Sequence, residues 1–305
     1  MSTRYSLRTF GALRLRWTAV AAAVSLGLCV ANTMGPVSAA ASPLASGPVD
    51  VLSAGSLQDL LQQQVAPAFQ AATGYTLDNT SMGSDAIASG IKGGTLQGDV
   101  FLSASPDVNK ALEGSADGNW VSWYAGFGSS PLVLGYNPSS KFAGDLGTKP
   151  WYDVIDQPGF LIGRTDPATD PKGVLAVTAL DEAAKAHDIP ALKAMAASTS
   201  NVYPETSLVG QLQAGQLDAG FFYGVEAAAA NIKTVPLSGT KLAGVYTITV
   251  LNRAPHEAAA RAFVAFLLGK DGQRILAKNG IVAITPPKVS GGSNVPKDLK
   301  GPLSR

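Results

Sequence analysis

From Val49 onward the chain alternates short apolar runs with amphipathic stretches, and that alternation narrows the possible folds most. Val49-Asp50-Val51-Leu52 reads as a strand, and Ser53-Ala54-Gly55-Ser56 turns it. Leu57, Leu60, Leu61, Val65 and Phe69 then share one face of a helix. Pro67 interrupts this helix or starts its second segment, and Gly74 ends it. Residues 75–78 read as a second strand, and Ser81-Met82-Gly83-Ser84 turns again. Ile87 and Ile91 mark a second helix, and 99–103 a third strand. A β-α-β-α-β order points to a parallel sheet flanked by helices, an α/β fold.

A second α/β set follows over roughly 130–245. Its strands are expected at 131–136, 160–163 and 219–223, with helices from Gly173 to about His187 and over 207–214. Val245-Tyr246-Thr247-Ile248-Thr249-Val250 reads as a further strand. A helix over 256–269 should turn Phe263, Phe266 and Leu267 inward. The last fifteen residues are rich in Gly, Pro, Lys and Ser and are expected to fray.

The first 40 residues have another character. Arg4, Arg8, Arg14 and Arg16 precede an uncharged apolar run from Trp17 to Val30, and small residues follow at 37–42. That order is the pattern of a secretory signal peptide over 1–40, with a spacer at 41–48. The single cysteine, Cys29, lies in the apolar run, where Leu28 before it fits a lipoprotein signal poorly. A mature chain without cysteine has no disulfides, no thiolate zinc site and no cysteine nucleophile. Taking the four signal arginines from 23 basic residues leaves 19 against 22 acids, a net of −3. With no basic block, nucleic-acid binding is not expected.

The chemistry sits in turns where strands give way to helices. Open α/β sheets bind ligands at the carboxyl ends of their strands. Helix starts offer free N–H groups and partial positive charge, so several aimed at one point can hold an anion. Ser56 and Ser84 each open a helix behind a glycine, which lets the backbone approach a ligand closely. Either serine alone is read most simply as an N-cap; the pair points to a shared site.

Several segments, in this order and spacing, resemble the periplasmic molybdate- and tungstate-binding proteins of ABC importers. They are 51–57, Gly83-Ser84, 99–104, Gly163-Arg164-Thr165-Asp166-Pro167 with Asp170-Pro171-Lys172-Gly173, and Asp218-Ala219-Gly220-Phe221-Phe222-Tyr223. The resemblance runs from Val51 to about Thr285. It implies two α/β lobes, 49–127 with 249–305 and 128–248, joined by two chain crossings near 125–130 and 245–250. It implies a monomeric, non-enzymatic receptor without cofactor, exported to the periplasm or to the outer face of the cytoplasmic membrane. The receptor would close on a tetrahedral oxyanion and hand it to a membrane permease with a cytoplasmic ATPase. By position, Ser56 and Ser84 match two serine ligands, and Lys172 and Glu205 match backbone N–H donors. Tyr223 matches a tyrosine whose hydroxyl donates. Glu205 fits worst, because its carboxylate would have to point away from an anion. An archaeal branch places two acids on the metal; Asp170 matches one, but Phe222 stands where the second is expected. The resemblance therefore implies tetrahedral binding, with Asp170 as a helix cap. Arg164 is expected to brace its loop through Asp166 or Asp170.

Other readings stay open at this level. Sulfate has the same protonation as molybdate, and only cavity size separates them. A ring of hydroxyls and amides disfavours phosphate, whose proton needs an acceptor. Trp120, Trp123 and Tyr124, near the expected hinge, leave room for an organic solute. An iron receptor would need adjacent tyrosines, and Tyr223 stands alone behind Phe221 and Phe222. The two histidines, His187 and His256, lie in no Gly-x-Ser-x-Gly or His-x-x-x-His context, which gives a hydrolase nothing to build on.

Overall fold

The computed structural model describes residues 47–304. The expected signal peptide and most of the spacer lie outside the described residues. The strands are β1 (Pro48–Ala54), β2 (Thr76–Met82), β3 (Val100–Ser103), β4 (Tyr124–Tyr136), β5 (Ile162–Thr165), β6 (Val202–Tyr203), β7 (Ala219–Tyr223), β8 (Lys233–Pro236), β9 (Ala243–Val250) and β10 (Val282–Ser290). In the first lobe β1 lies between β2 and β3, parallel to both. Strand β9 runs antiparallel to β3 and to the first half of β4, and β10 also pairs with that half. In the second lobe β5 is parallel to β6 and β7, while β7 and β8 pair antiparallel with the second half of β4.

Strand β4 therefore belongs to both lobes. Ala125–Pro131 pair with β9, and Leu132–Tyr136 pair with β7, with a register shift around Phe127. The change of partner falls between Pro131 and Leu132, just past the expected crossing at 125–130 and the expected lobe boundary after 127. The second crossing lies earlier than expected. β8 still pairs with Val133–Tyr136, whereas β9 pairs from its first residue with Pro131 and the first-lobe strands. The chain has thus changed lobes between Pro236 and Ala243, ahead of 245–250. The expected boundary at 249 falls inside one continuous strand.

The helical faces follow the periodicity. Leu57, Leu60, Leu61, Val65 and Phe69 are all buried, and Phe69 packs edge-on against Phe263 at 5.3 Å. The helix widens into a π-type turn over Leu61–Val65 and restarts at Ala66–Thr73, with Pro67 in the new first turn. Proline lacks the N–H that a later position in the segment would need, which is why the first turn tolerates it. Gly74 closes the helix at φ +86°, a conformation that glycine adopts without strain. Ile87 and Ile91 pack on the opposite face of the first sheet with Leu52 and Phe101.

A further expectation fails. The C-terminal residues do not fray: Val295, Leu299 and Leu303 are buried in the main core through a series of short 3-10 turns. Their spacing of four puts one apolar side chain inward at each step, a signal masked by the surrounding Gly, Pro and Lys. No helix among the described residues is long and apolar enough to cross a membrane.

Candidate functional site

Each of the five expected residues stands at or just beyond the carboxyl end of a strand. Ser56 follows β1 in the turn Gly55–Leu57, and Ser84 follows β2 at the start of the helix Ser84–Lys92. Lys172 lies in the first turn of the helix Pro171–His187 after β5, and Glu205 opens the turn Glu205–Ser207 after β6. Tyr223 ends β7. All five are buried, and Ser56, Lys172, Glu205 and Tyr223 are linked by side-chain contacts across the two lobes, while Ser84 contacts Ala104 in its own lobe.

The hydroxyl side of the cluster begins at Ser56, whose Oγ is 2.9 Å from the Tyr246 hydroxyl, so one of the two donates to the other. Tyr246 packs edge-on against Tyr223 at 5.9 Å. The Tyr223 ring lies on the bare backbone of Gly244, where a Cβ would come within 2.7 Å of its carbons. The Tyr223 hydroxyl is buried without a hydrogen-bond partner among the described residues. Such an orphan costs about 1–3 kcal/mol, which marks it as a donor kept for something else. Ser84 Oγ accepts from the Ala104 N–H at 3.1 Å, leaving its own proton free to donate.

The charged side of the cluster differs from expectation. Lys172 does not offer its backbone N–H outward: that N–H goes to Asp170 Oδ1 at 3.2 Å, the helix cap foreseen for Asp170. Its side chain turns inward instead. Nζ donates to Glu205 Oε1 at 3.0 Å and to Glu226 Oε2 at 2.6 Å, with all three side chains buried. Glu205 also departs from the sequence reading, because its carboxylate points into the site. A Cβ on Gly55 would fall 1.4 Å from Glu205 Oε2, so the carboxylate fills the space that glycine leaves open. Glu205 Oε2 and Asp170 Oδ2 are buried without a partner. A cavity of about 160 Å³, lined by Gly55, Ser56, Glu205, Thr206 and Glu226, leads to the cluster.

One ammonium thus faces three buried carboxyl groups. Burial pushes the Glu205 carboxyl well above the glutamate range; Lys172 pulls it back, while Glu226 and Asp170 push it further up. Burial also raises Glu226 and Asp170, against the pull of Lys172. For Lys172, burial favours the neutral amine, but Glu205, Glu226 and Asp170 together overcome it and hold the amine charged. Burial raises both Tyr223 and Tyr246, which keeps them protonated as donors.

The lobes meet closely beside the cluster. Ala86 N–H donates to the Thr169 carbonyl at 3.1 Å, and a Cβ on Gly83 would sit 2.3 Å from that same oxygen. Glycine at 83 is required by this approach. Arg164 does brace its loop, but through carbonyls rather than acids: it donates to the oxygens of Thr165, Ala196 and Ser198. Neither histidine joins the site. His187 stacks on Tyr152 at 3.8 Å. His256 meets Asp99, whose carboxylate also accepts the N–H groups of Asp50 and His256.

Sequence reasoning missed Tyr246 and Glu226. Glu226 stands in the first turn of the helix Gly224–Ala229, directly after Tyr223. It therefore carried the same strand-to-helix signal that singled out the serines. Tyr246 carried no such signal, since it lies inside a strand and reaches Ser56 across 190 residues.

Comparison with known proteins shows the family and the fold. Residues 49–282 match the bacterial extracellular solute-binding protein family. A solute-binding protein of Halobacterium salinarum is 31% identical over 254 residues, covering 73% of this chain and 81% of the relative. A molybdate/tungstate-binding protein of Pyrococcus abyssi is 26% identical over 235 residues, 60% of this chain and 68% of the relative. Among solved structures, the periplasmic molybdate-binding protein of Azotobacter vinelandii superposes with a TM-score of 0.61 at 20% identity, over 77% of this chain and 98% of that one. The sulfate-binding protein SubI of Mycobacterium tuberculosis gives 0.59 at 17% identity, over 79% and 88%. These two show the fold that β4 and the paired sheets build. With more than two thirds of its length matched, the chain belongs to the bacterial extracellular solute-binding protein family.

Proposed function

We propose that this solute-binding protein captures molybdate or tungstate between its lobes, outside the cytoplasm, and delivers it to an ABC permease without catalysing a reaction. The observation that supports the reading is the buried chain Ser56–Tyr246–Tyr223, which runs from one lobe to the other and ends in a Tyr223 hydroxyl that is buried and unpartnered among the described residues. Fully deprotonated oxyanions accept hydrogen bonds at every oxygen, and these hydroxyls are donors. Lys172 supplies the positive charge. Relatives that are named for molybdate and tungstate support the same reading.

The buried carboxyl oxygens favour the metal oxyanions over sulfate. Asp170 Oδ2 and Glu205 Oε2 are hard oxygen atoms without partners. Molybdenum(VI) and tungsten(VI) accept oxygen ligands beyond four, and sulfur(VI) does not; this reading, with Asp170 and Glu205 as the two acids, replaces the tetrahedral binding expected from the sequence. A carboxylate beside sulfate would only repel it. The resemblance to sulfate receptors keeps sulfate as the second reading. Titration calorimetry with sodium molybdate, tungstate, sulfate and phosphate decides between them. Heat with the first two alone is the expected result. Heat with sulfate alone would replace this reading by the second, and heat with none would overturn both.

A further inference from the structure

Tyr246 lies in β9, paired with Gly128 of β4, and its side chain is wholly buried. Its ring packs on Tyr223 of the second lobe at 5.9 Å and on Phe127 at 6.4 Å. Its hydroxyl has one partner among the described residues, Ser56 Oγ of the first lobe, at 2.9 Å. Two hydroxyls that share one hydrogen bond leave one proton over. Where that proton points decides what the site offers a ligand.

If Ser56 donated, the proton left over would be that of Tyr246, in a wholly buried group with no other acceptor among the described residues. A buried donor without a partner is costly. If Tyr246 donates, the proton left over is that of Ser56. Ser56 lines the cavity of about 160 Å³ that leads to the cluster, so a ligand oxygen placed there can accept that proton. The accounting favours the second arrangement. Burial holds the Tyr246 phenol well above its ordinary range, against the pull of the Ser56 bond, so it keeps the proton it has to donate. Ser84 is set up in the same way, since it accepts from the Ala104 N–H behind it. We propose that Tyr246 fixes the direction of the Ser56 hydroxyl, so that Ser56 meets the oxyanion as a donor already turned toward the cavity. The inference rests on the oxyanion reading above. A donor oriented beforehand loses no rotational freedom when the anion arrives. Tyr246 is therefore a positioning residue, which acts on the ligand through Ser56 without touching it.

The test is a double-mutant cycle, read by calorimetry of the full chain with sodium molybdate and sodium tungstate. Ser56→Ala should weaken binding by roughly tenfold to a hundredfold, the loss of one hydrogen bond to a charged ligand. Tyr246→Phe keeps the ring on Tyr223 and Phe127. It should weaken binding by about threefold or more, and by no more than Ser56→Ala does. With Ser56 already replaced by alanine, Tyr246→Phe should change affinity by less than about twofold, because nothing is left for the phenol to orient. A loss in that background as large as in the wild type means that the phenol meets the ligand itself or only supports the lobe, and it overturns the proposal. So does unchanged affinity in Tyr246→Phe, or a larger loss there than in Ser56→Ala, and neither result needs the double variant. A Tyr246→Phe chain that does not fold overturns it too, since the hydroxyl would then serve the fold. All these outcomes leave the oxyanion reading standing. No heat from the wild type with either oxyanion overturns that reading and this proposal with it.

Discussion

At the scale of the residue, Tyr223 separates the needs of folding from those of binding. Its hydroxyl is buried with nothing to donate to, so Tyr223→Phe removes a cost from the ligand-free protein. We expect no loss of thermal stability but a drop in oxyanion affinity of roughly tenfold to a hundredfold, the size of a hydrogen bond to a charged group. Melting curves with and without molybdate read both; equal affinity in the variant would move the ligand elsewhere. The acids make a second prediction at this scale. The raised carboxyls of Glu205, Glu226 and Asp170 hold protons in the fold that the unfolded chain has lost above about pH 4. Stability they contribute is therefore present below that pH and declines as pH rises through their folded values. Lys172, raised in the fold, adds a decline of the same sign, but only above the ordinary lysine range. The ligand-free protein should melt at a higher temperature at pH 5 than at pH 8, and the reverse order would contradict the charge count. Individual residues were unevenly legible in the sequence. Ser56 and Ser84 were visible because strand, glycine and serine occur in a fixed local order. Tyr246 was not, because its contact depends on where β9 lies beside β4. The direction of the Glu205 side chain depends on Gly55, 150 positions away, so no local rule could give it.

At the scale of the element, the helix faces were legible and the sheet partnerships were not. Leu57 to Phe69 repeat with the period of a helix, and burial follows. Nothing comparable shows that β4 changes sheets at Leu132, or that β9 pairs with β3 along Thr247–Val250, since pairing is a relation between distant segments. The glycine turns carry their own prediction. Gly83 meets the Thr169 carbonyl across the lobe interface, and that partner is backbone, which cannot rotate aside. Gly83→Ala should leave the isolated lobes folded yet hold them apart. We expect unchanged helical content in circular dichroism with affinity reduced at least about tenfold, the cost of misplacing one lobe's donors. Full affinity would mean that the closed approach of the helix Ser84–Lys92 to Thr169 is not needed for binding.

At the scale of the whole molecule, the C-terminal residues belong to the core rather than to its edge. Leu299 is only 1% exposed, so Leu299→Ala should destabilise the protein by about 2–5 kcal/mol in urea unfolding. A cost near zero would return these residues to the frayed end that composition suggested. The larger consequence comes from β4. One unbroken strand from Tyr124 to Tyr136 carries the backbone ladder of both lobes, with its register shift at Phe127. Two bodies sharing such a strand are coupled in torsion, because opening the cleft has to wind or unwind the strand about its own axis. We expect the amides of Gly128, Ser129, Ser130 and Leu132 to exchange slowly with or without oxyanion, which a slack tether would not allow. A receptor sprung in this way relaxes to its rest angle unaided. Emptying it then takes work from outside the molecule, done by whatever grips both lobes at once.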